Sequence, residues 1–270
     1  MNLNESILNI DGLDSLSLIK NSFYKDTYHC KYKGKDAILG HYRIQENHFN
    51  LNPQREFNIL ININDLKLAP KALFFDERAS IIITSKIQGE HFTNSNERKS
   101  ILSRLAKSLL LLHSNNSIGL THTFRDSLIA YGEHLTGKEE ENIFIQTIEL
   151  FDSLRNLCDG YCLCHNDLHP ENILLNDQIQ FIDWEYASLN LPYFDLAYAI
   201  EHFQMSKSEI VYFISEYSES TQDIGLDTIN SYRKLSKYVT LIWLLILDKC
   251  YTMKTSETEL MASIRKELNV

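Results

Sequence analysis

The sequence predicts an α+β fold in which a small antiparallel sheet comes first and a mainly helical part follows. Residues 1–89 contain short strand-like runs separated by turn residues, whereas helical periodicity dominates after the Gln-Gly-Glu stretch at residues 88–90. The chain has 270 residues and is 44% hydrophobic, so it can bury a sizeable core. We therefore expect one lobe over residues 1–89 and a second over residues 90–270.

Two hairpins and one helix are predicted in the first lobe. Residues 23–32 and 36–44 are rich in Tyr, Ile and Leu and flank a Lys-Gly-Lys turn, which favours a hairpin. Pro53 can open the helix that follows, because apolar residues then recur at helical spacing. The apolar runs at residues 71–75 and 80–84 predict the second hairpin.

The second lobe is predicted to be mostly helical. Residues 101–112 place their apolar side chains on one broad face, and Asn94 or Ser95 can cap the start of this helix. Residues 143–157 repeat the pattern, and about three more helices are expected beyond Asp195.

A small island of strand interrupts these helices. It is predicted to be a single sheet built from residues 161–164, 173–175 and 178–182. The loop after its first strand is strongly polar. Six polar side chains fall within eight positions there: His165, Asn166, Asp167, His169, Glu171 and Asn172.

The spacing of these side chains suits phosphoryl transfer. Asn172 lies five positions after Asp167, and Asp183 lies eleven positions further on, directly after an apolar strand. Amide and carboxylate oxygens at strand ends can hold Mg²⁺ together with phosphate oxygens. Asp167 could accept the proton of a substrate hydroxyl. This small set suffices because the protein's task in phosphoryl transfer is mainly to position reactants and neutralise charge.

The same part of the sequence contains the ligand types for two other metal sites. A zinc cluster could use Cys158, Cys162, Cys164 and His165. These residues lack the paired C-x2-C spacing of zinc sites, and the segment alternates like a strand. A transition-metal hydrolase site could use His165, Asp167 and His169, but it gives no role to Asn172 or Asp183.

Charge and cysteine content restrict partners and compartment. The formal charge is -10, from 26 Lys plus Arg against 36 Asp plus Glu. This balance argues against nucleic acid or an anionic membrane surface and suits a cationic small molecule. No apolar run approaches the roughly 20 residues that span a bilayer. Five cysteines and no recognisable export signal predict a cytoplasmic protein with reduced thiols.

The motifs resemble those of a known superfamily. His165-Asn166-Asp167 with Asn172, followed by "IDWEYA", is similar to the choline kinase, thiamine kinase and aminoglycoside phosphotransferase superfamily. The resemblance implies a two-lobed protein-kinase-like fold that uses ATP and Mg²⁺. "QREFNIL" resembles the helix carrying the acidic partner of the ATP-binding lysine. "IITSKIQGE" resembles the hinge, where Ser85 and Ile87 would bind the nucleotide, and "LAKSLLLLHS" resembles the helix beneath the catalytic loop.

The resemblance also implies roles for the residues of the polar loop. Asp167 matches the catalytic base, and Asn172 and Asp183 match the magnesium ligands. His165 would support the loop by hydrogen bonds rather than bind metal. Asp195 matches an acidic residue that anchors the loop, although a carboxylate favoured by a helix N-terminus explains it equally well.

The cation that binds the phosphates is left open by the sequence. Glu56 is a suitable acid on the helix, but Gly40 stands where the family usually carries the lysine. Arg43 is the basic residue further along the same strand, and a shifted register would let it serve. Lys25 and Lys31 are the other candidates.

The predicted activity is phosphorylation of a hydroxyl on a cationic metabolite, with choline or thiamine as the leading substrate. Tyr186 and Trp243 could supply aromatic faces for the cation. Glu185 and Glu201 could attract it with their negative charges. Trp243 lies among Leu and Ile residues, which favours core packing instead. The alternative functions are an aminoglycoside phosphotransferase and a nucleotide-binding pseudokinase module.

Overall fold

A computed structural model of the chain describes residues 10–43, 47–92, 97–115, 119–156, 160–218 and 225–270. The chain divides into two compact units. The first unit comprises Met1–Asn47, Leu51–His91 and Ile173–Tyr186. The second comprises His48–Asn50, Phe92–Asn172 and Ala187–Val270. The segment Ile173–Tyr186, expected in the second lobe, therefore packs with the first unit.

The main sheet of the first unit confirms the predicted small antiparallel sheet. Its strands are, in chain order, β1 (Leu13–Asn21), β2 (Lys25–Tyr32), β3 (Lys35–Tyr42), β4 (Ala72–Asp76) and β5 (Ile81–Ser85). They are arranged as β1-β2-β3-β5-β4. One face is closed by a core cluster of Ile10, Cys30, Tyr32, Ala37, Leu39, Ala79, Ile81 and Ile83.

Both predicted hairpins are present. Strands β2 and β3 are joined by Lys33 and Gly34, which both have positive φ, the conformation that a tight two-residue hairpin requires. The first pair of the ladder is Tyr32 with Lys35. Strands β4 and β5 form the second hairpin.

Strand β1 has no counterpart among the predicted hairpins. Its side chains are mostly exposed, including those of Leu16, Leu18 and Ile19. The strand lies at the edge of the sheet and pairs with β2 through an irregular register. Because it buries neither face, it leaves no clean alternation of apolar and polar residues in the sequence.

The helix predicted to start at Pro53 is confirmed as α1 (Pro53–Asn62). The side chain of Asn52 accepts a hydrogen bond from the Arg55 N–H at 2.9 Å, and proline occupies the first helical position. Ile59 and Leu60 are buried together with Glu56, whereas Asn58 and Asn62 are exposed.

The second unit is mainly helical, as predicted. Its helices are α2 (Arg98–His113), α3 (Phe124–Gly132), α4 (Lys138–Arg155), α5 (Pro192–His202), α6 (Lys207–Tyr217), α7 (Leu226–Cys250) and α8 (Thr255–Leu268). The expected caps Asn94 and Ser95 lie outside the described residues. Within the described ranges, no helix is both long and apolar enough to cross a membrane.

The prediction of one small three-stranded sheet is wrong. Strand β7 (Cys162–Cys164) pairs with β10 (Ser188–Asn190) in the second unit. Strands β8 (Ile173–Leu175) and β9 (Ile179–Phe181) pair with each other and with β6 (Glu90–His91) in the first unit. Strands this short bury too few residues for the sequence to specify their partners.

Candidate active site

The backbone of the polar loop, residues 165–169, is anchored by hydrogen bonds to one carboxylate. Asp195, in the first turn of α5, is fully buried, and it accepts hydrogen bonds from the backbone N–H groups of His165 and Asn166, both at 2.8 Å. Its Oδ2 also lies 3.2 Å from Nε2 of His113 at the end of α2. Both interpretations of Asp195 from the sequence therefore apply, because it anchors the loop and stands at a helix N-terminus.

Asn166 fixes the shape of the same loop. Its φ is 67°, in the left-handed region that non-glycine residues rarely adopt. The side-chain nitrogen donates to Ser188 Oγ at 2.9 Å, and the side-chain oxygen accepts from Asn190 Nδ2 at 2.7 Å. Strand β10 thus stabilises the strained turn that precedes Asp167.

Asp167 lies in a set of hydrogen-bond donors. The Tyr198 hydroxyl donates to Oδ1 at 3.0 Å, Asn172 Nδ2 donates to Oδ2 at 3.0 Å, and His169 Nε2 lies 3.5 Å from Oδ2. Burial alone would raise the pKa of this carboxyl. Hydrogen bonding from His169, the charges of His169 and His165, and the Tyr198 hydroxyl outweigh burial and hold the pKa well below its usual range. Asp167 is therefore an anion throughout the physiological pH range.

Tyr198 contacts Asp167 directly and was not among the site residues expected from the sequence. It follows Asp195 by three positions on α5, so the two side chains project from the same face of the helix. Asp195 accepts hydrogen bonds from the backbone of the polar loop, and Tyr198 donates one to the carboxylate of Asp167 in that loop. The i, i+3 spacing was the signal that could have identified it.

Asn172 ends the short 3-10 turn Pro170–Asn172. Its amide nitrogen donates to both the backbone oxygen of Asp167, at 2.9 Å, and the carboxylate of Asp167. The amide oxygen consequently points away from that carboxylate. A carbonyl oxygen is a suitable ligand for Mg²⁺, so the geometry fits the predicted role of Asn172.

His165 is fully buried, and its backbone is part of the Asp195 anchor. Within the described residues, the ligand atoms of His165, Asp167 and His169 do not form a three-membered metal cluster. The hydrolase alternative therefore has no support from the geometry. The zinc cluster considered from the sequence has a different histidine in the structure, because His113 rather than His165 lies with Cys162 and Cys164. Its fourth candidate, Cys158, lies outside the described residues.

The first unit contains a second polar set centred on Lys25. Its ammonium group at the start of β2 forms ion pairs with Asp183 and with Glu185. Asp183 has a φ of 65°, again in the left-handed region. Its side chain is 22% exposed, whereas that of Glu185 is only 2% exposed. Asp183 is therefore the carboxylate of this pair that an added cation could reach.

The ionisable groups around Lys25 shift one another's pKa values. Burial by itself would lower the pKa of the Lys25 ammonium, but the carboxylates of Asp183 and Glu185 more than offset this and hold it well above its usual range. Burial and the neighbouring charge of Asp183 raise the pKa of Glu185 to about 8, against the opposing effect of Lys25. Tyr24 donates a hydrogen bond to Glu185 at 2.5 Å.

Glu56 contributes to the same electrostatic set from α1. It is buried and accepts a hydrogen bond from the Tyr42 hydroxyl. Burial raises its pKa, while the positive charge of Lys25 and the Tyr42 hydroxyl oppose this effect. Lys25 also lies over the ring of Tyr42, with its nitrogen 5.3 Å from the ring centroid.

Arg43 was one candidate for the partner of Glu56, provided that the register was shifted, and the structure places it elsewhere. Its guanidinium pairs with Asp26 at 2.6 Å and donates to the backbone oxygens of Ser22 and Phe23. The regular register of β2 and β3 explains the difference, because it aligns Lys25 with Tyr42 without any shift. Lys25 is thus the basic residue that enters the acidic set.

The remaining predicted nucleotide contacts lie at the end of β5. The Ser85 hydroxyl accepts a hydrogen bond from the Lys71 N–H at 2.9 Å. Ile87 is half-buried in the segment between β5 and β6. Their roles toward a nucleotide stay predictions.

The four predicted substrate residues are divided between the two units. In the first unit, Tyr186 packs edge-on against Tyr24, with ring centroids 6.4 Å apart, and Glu185 is engaged by Lys25. In the second unit, Glu201 pairs with Arg233 and with Lys237, which largely compensates its charge.

Trp243 also belongs to the second unit. Its ring stacks on Phe49 with centroids 5.2 Å apart and an interplanar angle of 26°. The side chain is half-buried, so it contributes to packing while retaining an exposed part. A role for Trp243 toward the substrate stays a prediction.

Comparison with known proteins identifies the family. The profile described as "Phosphotransferase enzyme family" matches residues 15–220. Protein LicA of Haemophilus influenzae is 32% identical over 136 residues, which are 46% of this chain and 39% of that protein. The chain therefore matches less than two thirds of the length of this relative.

Solved structures support the fold. The crystal structure of choline kinase LicA from Streptococcus pneumoniae has a TM-score of 0.79 at 22% identity, covering 99% of this chain and 97% of the other. A structure of LicA in complex with AMP has a TM-score of 0.77 at 22% identity, covering 98% of this chain and 96% of the other. These likenesses confirm the predicted two-lobed kinase-like fold. The profile match over most of its length establishes that this chain belongs to the phosphotransferase enzyme family.

Proposed function

We propose that this protein is a kinase that transfers the γ-phosphoryl group of ATP to the hydroxyl of a cationic amino alcohol, with choline as the first candidate. The observation that carries the proposal is the environment of Asp167. Its carboxylate is kept ionised and oriented by Tyr198, Asn172 and His169 at the end of a loop anchored by Asp195.

Asp167 would act as the catalytic base. An ionised carboxylate can accept the hydrogen of the substrate hydroxyl and align its oxygen for attack on the γ-phosphorus. A low pKa makes Asp167 a weak base, which is sufficient when the proton is transferred late and positioning contributes most of the catalysis. The proton leaves the hydroxyl as the new O–P bond forms and the bond to ADP breaks.

Lys25 would supply the positive charge for the phosphates. Its ammonium is ionised and is held by the Asp183 carboxylate and the Glu185 side chain, and a lysine can bind a triphosphate as a point charge. Glu56 would orient it from α1 through the same electrostatic set.

Asn172 and Asp183 would be the protein ligands of Mg²⁺. One is an amide and the other a carboxylate, and hard oxygen donors of this kind suit the ion. When bound, Mg²⁺ would neutralise charge on the phosphate oxygens. These assignments are predictions from the motifs, supported by the amide orientation of Asn172 and the accessibility of Asp183.

The choice of substrate rests on three arguments. Relatives named LicA include a protein described as a choline kinase. The formal charge of -10 favours a cationic ligand. A quaternary nitrogen has no proton to donate, so aromatic faces such as that of Tyr186 are suitable contacts. Thiamine satisfies the same chemical requirement and remains a candidate.

A substrate panel tests the proposal. We expect Mg²⁺-dependent ADP release with choline, and a smaller rate with ethanolamine, thiamine or kanamycin. The uncharged isostere 3,3-dimethyl-1-butanol is the matched control, because it keeps the shape and hydroxyl of choline but lacks the charge. Equal rates with choline and with this alcohol would contradict the cationic specificity. Thermal stabilisation by ATP and Mg²⁺ with no transfer to any alcohol would instead identify a pseudokinase.

A further inference from the structure

A compact group of soft ligands lies beneath the polar loop in the second unit. His113 ends α2, and Cys162 and Cys164 stand at i and i+2 on β7, so both thiols project from the same side of the strand. The two Sγ atoms are 3.6 Å apart, and Cys164 Sγ is 3.8 Å from His113 Nε2. All three ligand atoms lie within 4.8 Å of one another.

These separations are close to those of a tetrahedral metal site. Zinc bonds of about 2.3 Å to sulfur and about 2.0 Å to nitrogen place two sulfurs about 3.8 Å apart and a sulfur and a nitrogen about 3.5 Å apart. Two edges of the triangle in this protein already have nearly these lengths. Only small side-chain movements would be needed to bring all three atoms onto one ion.

The partner of His113 supports the same arrangement. Nδ1 of His113 lies 2.8 Å from the Tyr217 hydroxyl on α6. Nε2 now faces both Asp195 Oδ2, at 3.2 Å, and Cys164 Sγ, at 3.8 Å. In the metal-bound state Nδ1 would carry the proton and donate it to Tyr217, and Nε2 would turn its lone pair from Asp195 to the ion. Metal-binding histidines usually hold their second nitrogen in this way, and the outer partner fixes the orientation of the ring.

The site has an entrance and favours soft ions. Cys164 is fully buried and the His113 side chain nearly so, but Cys162 is half-buried and leaves a route for a small cation. The contacts of the thiols with backbone oxygens are long, from Cys162 to the Asn190 oxygen at 3.8 Å and from Cys164 to the Leu191 oxygen at 3.6 Å. The thiols would lose little hydrogen bonding on metal binding, so the main contact replaced is that of His113 with Asp195. Thiolates select thiophilic cations.

We propose that His113, Cys162 and Cys164 bind one thiophilic d¹⁰ cation of the zinc class, a function separate from phosphoryl transfer. Both thiols release their protons to solvent as the two metal–sulfur bonds form, and His113 Nε2 gives up the proton it shares with Asp195 as the metal–nitrogen bond forms. Occupancy would also exchange the contact of His113 with Asp195 for a metal bond, directly below the loop that carries Asp167.

Cadmium titration of the reduced full-length protein tests the site, because cadmium thiolates absorb in the ultraviolet. We expect one Cd²⁺ per chain with an absorption corresponding to two thiolates, and Zn²⁺ should displace it. Cys162→Ser should lose the absorption and weaken binding at least about 100-fold, and Tyr217→Phe should weaken it about 10-fold. The matched control is Cys250→Ser, which removes a free thiol outside the cluster and should bind like the wild type.

Circular dichroism checks that each variant is folded. The proposal is overturned if the wild type binds Cd²⁺ no more tightly than Cys162→Ser. It is equally overturned if Cys250→Ser loses the absorption to the same extent.

Discussion

The side chain of Lys25 on β2 packs against Gly40 on β3, where an added β-carbon would lie 3.5 Å from Lys25 Cδ. Lys25 is paired with Tyr42, and Gly40 is the diagonal neighbour on the same face of the sheet. By the family resemblance, Gly40 stands at the usual lysine position. The Lys25 side chain on β2 therefore occupies the space beside Gly40 on β3, where the family usually carries a lysine.

This relationship predicts that a lysine can be exchanged between the two strands. Lys25→Ala should lower kcat/KM for ATP by about 100-fold, because the phosphates lose a preorganised positive charge. Adding Gly40→Lys to Lys25→Ala should recover at least about tenfold of that loss. Steady-state kinetics at saturating choline provide the measurement.

Arg43→Ala is the control for this exchange. Arg43 is paired with Asp26, so its removal should cost at least about tenfold less than removal of Lys25. A loss with Arg43→Ala as large as that with Lys25→Ala would contradict the choice of Lys25 over Arg43.

Tyr198→Phe tests whether Tyr198 positions Asp167. The hydroxyl donates to Oδ1 of Asp167, so its removal should leave the carboxylate less well oriented and raise its pKa. We expect kcat to fall about tenfold while KM for choline changes little. The acidic limb of the pH–rate profile should also move to higher pH, which loss of packing alone would not cause.

Tyr212→Phe, which removes a hydroxyl from helix α6, is the matched control for Tyr198→Phe. It should retain the wild-type kcat and pH profile. If Tyr198→Phe behaved in the same way, the hydrogen bond to Asp167 would have no positioning role.

Asp195→Ala should reduce stability strongly. The substitution leaves the buried N–H groups of His165 and Asn166 without their acceptor, which costs about 2–5 kcal/mol. Chemical denaturation measures the change in the free energy of unfolding. Asp152→Ala is the comparison, since Asp152 forms a partly exposed pair with Arg125 and should cost under about 1 kcal/mol. Equal losses for both variants would refute the anchoring role.

Glu185→Gln should reduce the dependence of stability on pH. The folded protein holds the Glu185 proton up to a pKa of about 8, whereas the ordinary value is 4.5. Between these values the folded state binds more protons than the unfolded state, so stability falls as pH rises. Glutamine cannot titrate, and the wild type should lose stability relative to Glu185→Gln across this window.

Denaturation at several pH values provides this comparison. Glu139→Gln removes an exposed carboxylate that pairs with Arg265, and it should retain the wild-type slope. Parallel stability curves for the wild type and Glu185→Gln would contradict a raised pKa for Glu185.

Local features were the most predictable from the sequence. The hairpin of β2 and β3, the start of α1 at Pro53 and the helical faces of α2 and α4 each depend on residues close together in the chain. The hairpin also contained the information needed to select Lys25. A two-residue turn at Lys33 and Gly34 fixes the register and places Lys25 diagonally opposite Gly40, whereas the predicted three-residue turn hides this relation.

Contacts between distant segments could not be predicted in the same way. The pairing of β7 with β10 and the approach of His113 to Cys164 join segments separated by many residues, and no local pattern specifies them. Edge strand β1 was missed because its side chains remain exposed. The proximity of Asp167 and Asn172 could be expected from the motif, since both lie within one short segment and the hydrogen bond between them is local.

The most direct test of the proposed function is phosphocholine formation by the wild type and by Asp167→Asn, followed by ³¹P NMR with ATP, Mg²⁺ and choline. Asparagine keeps the size of the side chain but cannot accept the hydroxyl proton, so the rate should fall at least about 100-fold. The variant should remain folded by circular dichroism, although its free energy of unfolding should fall because an amide offers one acceptor oxygen to the donors Tyr198 and Asn172. No phosphocholine from the wild type, or near wild-type turnover by a folded Asp167→Asn, would contradict the proposal.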